Sequence, residues 1–213
     1  NYHGPSDDRG VFKSTDGGKS WKKTLFRDNK TGAVDLSIDR KNPNVMYAAL
    51  WEAYRIEYQM SSGGPGSGLF KSTDGGRSWK NMGLRTSKQI ARVIVDPVDF
   101  NVVHVAALGD LWGAGGERGV YKTSDGGQTW KRTLHVNDDT GATELVMDPT
   151  NNKVLYAATY QRRRAQWGMN GGGPGSTIWK STDGGETWAK AEAGLPEGPK
   201  GRIGMDIYRK NPN

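Results

Sequence analysis

One eight-residue motif occurs four times in this chain of 213 residues and constrains its fold more than any other feature. The copies share the pattern S/T-x-D-G-G-x-S/T-W, and a short alternating apolar run precedes each of them. Repeats at a period of roughly 50 residues are typical of solenoids, propellers and arrays. The aspartate and tryptophan of each copy are Asp16 and Trp21, Asp74 and Trp79, Asp125 and Trp130, and Asp183 and Trp188.

Each copy predicts a β-hairpin, because glycine adopts the positive φ that a tight turn between two strands requires. The aspartate can accept hydrogen bonds from the backbone of its own turn, and the tryptophan is a large apolar anchor for the hairpin. A second hairpin pattern lies upstream of each later copy, at 34–49, 92–107 and 143–158. Two hairpins make a four-stranded antiparallel meander, so we predict an all-β fold of β-propeller blades.

The repeats predict one domain, 1–213, which is a segment of a larger propeller. The predicted parts are a partial blade at 1–29, complete blades at 33–84, 91–134 and 142–191, and the start of a further blade at 202–213. An open row of blades exposes strand edges that must be covered. We therefore expect the rest of a longer chain, or self-association, to cover them.

Composition excludes several classes of function. The chain has no cysteine, which removes disulfides, thiol nucleophiles and cysteine-based zinc sites. Its histidines, His3, His104 and His135, fall at unrelated positions of the repeat, so we predict no metal site and no cofactor. The net charge of +7 comes mostly from single basic residues, so we predict no nucleic-acid partner. No apolar run approaches the roughly 18 residues of a membrane span.

The repeated motif resembles the Asp box, or BNR repeat, of sialidases, xyloglucanase-type glycosidases and sortilin-type propellers. Longer phrases resemble bacterial sortilin-like proteins, often labelled loosely as glycosyl hydrolases or BNR-repeat proteins, and they lie at 9–16, 63–68, 156–164 and 194–198. The resemblance implies a large exported propeller (periplasmic, cell-surface or extracellular) that serves as a binding surface. In the glycosidases the boxes lie away from the active site, so the resemblance implies that the four boxes of this chain have a structural role.

Two long inserts, at 51–68 and 160–177, follow the second strands of two blades and are predicted to lie on the face opposite the boxes. Each is longer than an ordinary hairpin loop, and long loops without regular structure are often functional. We expect arginine and aromatic side chains there to bind an acidic peptide or a glycan. The alternative is that the aromatics pack on neighbouring loops and the arginines pair with carboxylates. The candidate residues in the two inserts are Tyr54, Arg55, Tyr58, Arg162, Arg163, Arg164 and Trp167, and a shorter insert of the middle blade adds Trp112.

A second set of charges appears when the innermost strands of the blades are aligned. The aligned residues are Asp35, Arg92, Glu144 and Arg202, so acid and base alternate from blade to blade. Neighbouring opposite charges are expected to pair and to lock each blade to the next. The alternative is a polar mouth of the central channel that contributes to ligand binding.

The expected function is a non-enzymatic binding and scaffold propeller of the sortilin-like type, which recognises protein or peptide, or a glycan, on the insert face. We assign no catalytic residue, because glycoside hydrolysis requires two carboxylates in one pocket. The best pair, Asp35 and Glu144, is separated by Arg92. One alternative is a segment of an Asp-box glycoside hydrolase, of sialidase or xyloglucanase type, with most catalytic residues outside this chain. The other is a purely structural propeller of an envelope or extracellular assembly.

Overall fold

The computed structural model describes residues 3–210, so the predicted blade ends at 1–2 and 211–213 lie outside the described residues. Sixteen strands and one 3₁₀ turn, Arg85–Ser87, make up its regular structure. The strands are β1 Val11–Lys13, β2 Lys22–Leu25, β3 Thr31–Ile38, β4 Met46–Arg55, β5 Met60–Ser62, β6 Gly68–Ser72, β7 Lys80–Asn81, β8 Ile90–Val95, β9 Val103–Ala107, β10 Gly119–Thr123, β11 Lys131–Leu134, β12 Thr140–Met147, β13 Leu155–Ala165, β14 Gly168–Gly171, β15 Ile178–Ser181 and β16 Ala189–Lys190. Among residues 3–210, no helix has the length and apolar character needed to cross a membrane.

Three antiparallel meanders follow one another along the chain, and the predicted all-β propeller fold is confirmed. The strand orders are β3-β4-β6-β7, β8-β9-β10-β11 and β12-β13-β15-β16, which we call the second, third and fourth blades. The hairpin β1-β2 represents the first blade. Residues 202–208 form no strand in the described chain, so the predicted further blade stays a prediction.

The Asp boxes close the hairpins between the third and fourth strands of the blades. In the second blade, one oxygen of Asp74 accepts hydrogen bonds from Ser72 Oγ at 2.8 Å and from the Ser78 amide at 2.9 Å. Its other oxygen accepts the Ser78 hydroxyl at 2.6 Å. The turn contains Gly75 and Gly76 at φ +73° and +85°, a conformation that a side chain would strain. Hydrogen bonds from the box hydroxyls, Ser78 first, hold the pKa of Asp74 well below its ordinary value.

The box tryptophans join neighbouring blades rather than only anchoring their own hairpins. Trp130 of the third blade donates its Nε1–H to the Met82 carbonyl of the second blade at 2.8 Å. Trp188 of the fourth blade donates to Thr133 Oγ1 of the third at 3.2 Å. Trp21 has no earlier blade against it in the described chain, and it is 64% exposed. The prediction of a hairpin anchor was therefore incomplete: a partner blade is what buries this side chain.

The hydrophobic core lies between blades, because successive side chains of a strand face opposite sides of its sheet. From β4, Tyr47 and Ala49 pack with Val93 and Val105 of the third blade. The alternate residues of β4 pack on the other side, where Ala48, Leu50 and Phe70 meet Val11 and Leu25 of the first blade. A third cluster joins the third and fourth blades around Ala106, Val120, Leu134, Ala142, Leu145 and Ala157.

One apolar stripe on the innermost strand β3 lacks such a cover. Val34, Leu36 and Ile38 are 43%, 42% and 44% exposed. The equivalent residues of β8, Ala91, Val93 and Val95, are 7%, 3% and 8% exposed, and Val93 and Val95 pack against the second blade. The first blade contributes only its two outer strands to the described chain. Whether further chain or a second copy covers the stripe stays a prediction.

The two long inserts are hairpin extensions, and the expectation of loops without regular structure was wrong. Strand β4 continues to Arg55 and pairs with β5, while β13 continues to Ala165 and pairs with β14. The extensions begin at the ends of β4 and β13, whereas the boxes follow β6 and β15. Because β4 and β6 are antiparallel, the extensions and the boxes lie at opposite edges of the blades.

Candidate functional site

A groove with a volume of about 620 Å³ lies on the insert edge of the blades. The extension β4-β5 forms one wall, and the extension β13-β14 forms the opposite wall. Leu111, from the shorter insert of the third blade, lies between them, and the start of β3 and Arg9, which precedes β1, complete the lining. The groove is therefore assembled from all four described blades.

Strand alternation decides which of the three consecutive arginines face the groove. Side chains of neighbouring residues in a strand point to opposite sides of the sheet. Arg162 and Arg164 of β13 line the groove, together with Arg55 of β4. Arg163 does not line it, and its guanidinium forms an ion pair with Asp139 instead. The predicted cluster 162–164 is thus divided, with two arginines in the groove and one in a salt bridge.

A chain of hydrogen bonds runs beneath the groove from one wall to the other. Trp51 donates its Nε1–H to Ser62 Oγ at 3.0 Å. Gln89 donates its side-chain amide to the same oxygen at 2.8 Å. The Gln89 carbonyl oxygen accepts a hydrogen bond from Nη2 of Arg162. Because Gln89 is fully buried, it holds the indole of one wall and the guanidinium of the other in fixed positions.

The cation of Arg162 lies in an environment that disfavours its charge. Burial, more than any other cause, lowers the pKa of Arg162 to about 10, and the neighbouring cations Arg118 and Arg202 lower it further. Tyr160, and more weakly Asp110, act in the opposite direction and raise the pKa of Arg162. The side chain still carries its charge at neutral pH. An anion bound beside it would relieve this cost.

The insert of the third blade is organised by a fully buried arginine that sequence reasoning missed. Arg118 donates hydrogen bonds to the carbonyls of Leu108 at 3.0 Å and Gly115 at 2.9 Å. It also donates to the carbonyls of Asp110 and Gly113. Because these carbonyls belong to one loop, Arg118 fixes the position of the residues between them, which include Leu111.

The aromatic candidates occupy different places around the groove. Tyr54 belongs to the lining, and its ring lies 5.5 Å from Nζ of Lys30. Trp112 lies beside the groove, with its ring centre 5.8 Å from the guanidinium carbon of Arg164. Tyr58 and Trp167 lie at the two hairpin tips and are 88% and 91% exposed. The structure therefore brings Tyr54 and Trp112 to the arginines, whereas the tip residues project into solvent.

The aligned charges form an ion-paired row across the innermost strands. Arg92 of the third blade lies 3.8 Å from a carboxylate oxygen of Asp35 and donates its Nε–H to Glu144. The hydrogen bond that Arg92 donates to Glu144 is the main cause that raises the pKa of Arg92. A β-bulge precedes each of these three residues at the same register. Arg202 is exposed and forms no ion pair with a residue between 3 and 210.

Catalytic groups are not gathered in the groove by the described chain. No carboxylate from residues 3–210 belongs to the groove lining. No group of three or more histidine, aspartate or glutamate side chains within the same range could hold a metal ion. Asp35 and Glu144 both bind Arg92, so they form a structural ion pair network rather than an acid and a base facing one pocket.

Comparison with known proteins identifies the repeats. The family model of the BNR/Asp-box repeat matches residues 12–23 and 179–190. A solved structure of an ancestral GH74 enzyme superimposes with a TM-score of 0.62 over 88% of this chain and 23% of that chain, at 21% identity. The chain carries BNR/Asp-box repeats on a β-propeller fold.

Two curated relatives of this Asp-box propeller are named as xyloglucanases. A probable oligoxyloglucan-reducing end-specific xyloglucanase of Neosartorya fischeri is 29% identical over 88% of this chain and 20% of its own length. A xyloglucanase of Paenibacillus is 28% identical over 80% of this chain and 17% of its own length. The Asp-box chain thus spans about a fifth of the length of these relatives.

These relatives correct the functional expectation. A non-enzymatic, sortilin-like binding scaffold was wrong as the leading interpretation, since relatives that match most of the chain are glycoside hydrolases by name. The physical reason for the error is that an Asp box stabilises a hairpin of the propeller and takes no part in its function. The motif resembles that of glycosidases and of sortilin-type propellers alike, so it does not separate the two classes of protein.

Proposed function

We propose that this chain is part of a glycoside hydrolase that acts on a polysaccharide, and that the groove between the two hairpin extensions holds the saccharide chain. The observation that carries the proposal is the 29% identity to a xyloglucanase over 88% of this chain. Xyloglucan is accordingly the first polysaccharide to test. Because a polysaccharide substrate would be met outside the cell, we also propose that the protein is exported.

The groove is suited to a sugar chain by shape and by chemistry. It lies between two protein walls, and it combines an aromatic side chain, Trp51, with the apolar residues Leu111 and Met169. Carbohydrate sites combine apolar surfaces with a few fixed polar groups, as ligand pockets generally do. The hydrogen bonds from Trp51 to Ser62 and from Gln89 to Ser62 hold this lining in place before a ligand arrives.

The described residues supply binding groups rather than a catalytic pair. Glycoside hydrolysis uses two carboxylates that flank the scissile bond. Within residues 3–210, Asp35 and Glu144 are held by Arg92, and no carboxylate lines the groove. We therefore propose that the catalytic acid and base come from other parts of a longer protein.

The test is native gel electrophoresis of the chain in gels cast with and without xyloglucan. We expect xyloglucan to retard the protein, and Trp51→Ala to abolish the retardation. The matched control is Trp21→Ala, which removes an exposed tryptophan on the box edge and should leave retardation unchanged. If the two variants behave alike, or if no polysaccharide retards the protein, the groove is not a saccharide site.

A further inference from the structure

We propose that the saccharide recognised by the groove is acidic, and that Arg162 and Arg164 bind the carboxylate of a uronic acid unit. This inference rests on the proposed saccharide-binding function and names the chemical class of the ligand. It depends on three features of the groove: its charge, the state of its arginines and the apolar surface between them.

The groove has an unbalanced positive charge. Four arginines line it, Arg9 among them, and the other three, Arg55, Arg162 and Arg164, form no ion pair with a carboxylate among residues 3–210. Other arginines of the same region are neutralised: Arg163 by Asp139 and Arg92 by Glu144. Unpaired cations concentrated in a cleft favour anionic ligands, because the low-dielectric walls strengthen their field.

The two central arginines are held in position and retain hydrogen-bond donors. Arg162 uses Nη2 to reach Gln89 and its Nε is buried, so Nη1 is the guanidinium nitrogen that remains for a ligand. Arg164 lies against the Trp112 ring, and such stacking leaves the donors at the edge of the guanidinium free. The planar guanidinium matches the planar carboxylate with two parallel hydrogen bonds. A uronate fits this arrangement better than a neutral sugar.

The apolar lining favours a saccharide over a bare anion. Trp51, Leu111 and Met169 give the groove apolar surface beside its cations. An inorganic anion would leave that surface exposed to water, whereas the carbon face of a sugar ring would cover it. The combination of an aromatic side chain with arginine guanidinium groups therefore points to an acidic sugar unit within a longer saccharide chain.

The experiment is a calorimetric titration of the whole chain at low ionic strength with a short oligogalacturonate and with a neutral xyloglucan oligosaccharide of similar length. We expect the acidic ligand to bind at least about tenfold more tightly, since a charge-assisted hydrogen bond contributes on this scale. Arg162→Gln and Arg164→Gln should each weaken the acidic ligand about tenfold and change the neutral ligand little.

Arg163→Gln is the matched control, because it removes the same charge from the same strand without entering the groove. It should change the affinity for oligogalacturonate less than about twofold. Arg164→Gln keeps the test decisive if Arg162→Gln fails to fold, since Arg164 forms no side-chain hydrogen bond in the described chain.

The possible results separate this inference from the function on which it rests. Equal affinity for the two saccharides, or an equal loss in Arg163→Gln, would overturn the inference and leave a neutral-saccharide groove. Polyglutamate that binds as tightly as oligogalacturonate would overturn it too, since charge alone would then account for binding. If neither saccharide binds, the proposed function fails together with the inference.

Discussion

Replacement of Trp130 by alanine tests how the propeller is held together. This side chain packs against the core shared by the second and third blades and donates a hydrogen bond to the Met82 carbonyl. A buried tryptophan removes about 200 Å² from water, which at about 25 cal/mol per Å² corresponds to roughly 4 kcal/mol when most of that area is buried. Because Trp130 is only partly buried, we expect Trp130→Ala to lower the free energy of unfolding by about 3 kcal/mol.

Trp21→Ala is the matched control, since it makes the same change in the same motif. Trp21 is 64% exposed, and its Nε1–H bonds only to the Gly18 carbonyl of its own turn, at 3.1 Å. About a third of its area is then buried, so we expect a loss of roughly 1–2 kcal/mol at most. The contrast between the variants measures the contact between blades, because the hairpin and the motif are common to both.

Urea unfolding followed by circular dichroism measures both losses, and it does not depend on the fluorescence of the residue removed. The account predicts that Trp130→Ala unfolds at a clearly lower urea concentration than Trp21→Ala. Equal losses would refute the reasoning, because each tryptophan would then stabilise its own hairpin and the contact with the next blade would contribute nothing.

Three further predictions concern buried and exposed positions. Burial lowers the pKa of His104 to about 4. Between pH 6.5 and 4 the unfolded chain therefore binds a proton that the folded chain does not, so the free energy of unfolding should fall by on the order of 3 kcal/mol as the pH is lowered through this range. His104→Leu should remove this pH dependence of the free energy of unfolding, measured in urea, and an unchanged pH dependence would contradict the prediction. Gln89→Glu keeps the acceptor for Arg162 but loses the amide donor to Ser62 and adds a negative charge beside the guanidinium, so affinity for oligogalacturonate should fall about tenfold in calorimetry; unchanged affinity would count against Arg162 as a carboxylate-binding group. Leu36→Asp should cost less than about 1 kcal/mol in urea unfolding and Val93→Asp more than about 3, because only the second is covered by another blade; similar costs would show that the β3 stripe is covered.

The blades could be predicted because their signals are local. Asp74 and its neighbouring glycines specify a turn within eight residues, and the turn forms by hydrogen bonds within the same segment. The nearly continuous apolar runs at the start of β4 and along β9 predict strands whose two faces are both buried. The same repetition placed Asp35, Arg92 and Glu144 in register, and the structure pairs Arg92 with both carboxylates.

The groove could not be predicted in the same way, because its contacts are distant in the sequence. The extension of β13 is held partly by backbone hydrogen bonds from Arg162 to Asp139 and from Arg164 to Leu111, which are 3.0 and 2.9 Å long. No pattern within the insert reveals those partners, so a structureless loop was expected. Gln89 is a single buried polar residue that belongs to no motif, and only its neighbours in space give it a role.

The separation of Arg163 from Arg162 and Arg164 could not be predicted from the sequence either. A run of three arginines suggests one basic patch. Once β13 is known to continue through the run, strand alternation sends the middle residue to the opposite side, where Asp139 neutralises it. The error came from the expected conformation of the insert and not from the choice of residues.

A crystal structure of the protein with a bound oligosaccharide tests the central claim most directly. The account predicts sugar rings between the extensions β4-β5 and β13-β14, against Trp51, with an acidic substituent at Arg162 and Arg164. The account would be contradicted by an empty groove with sugar bound elsewhere, either at the Asp boxes or at the row of charges formed by Asp35, Arg92 and Glu144.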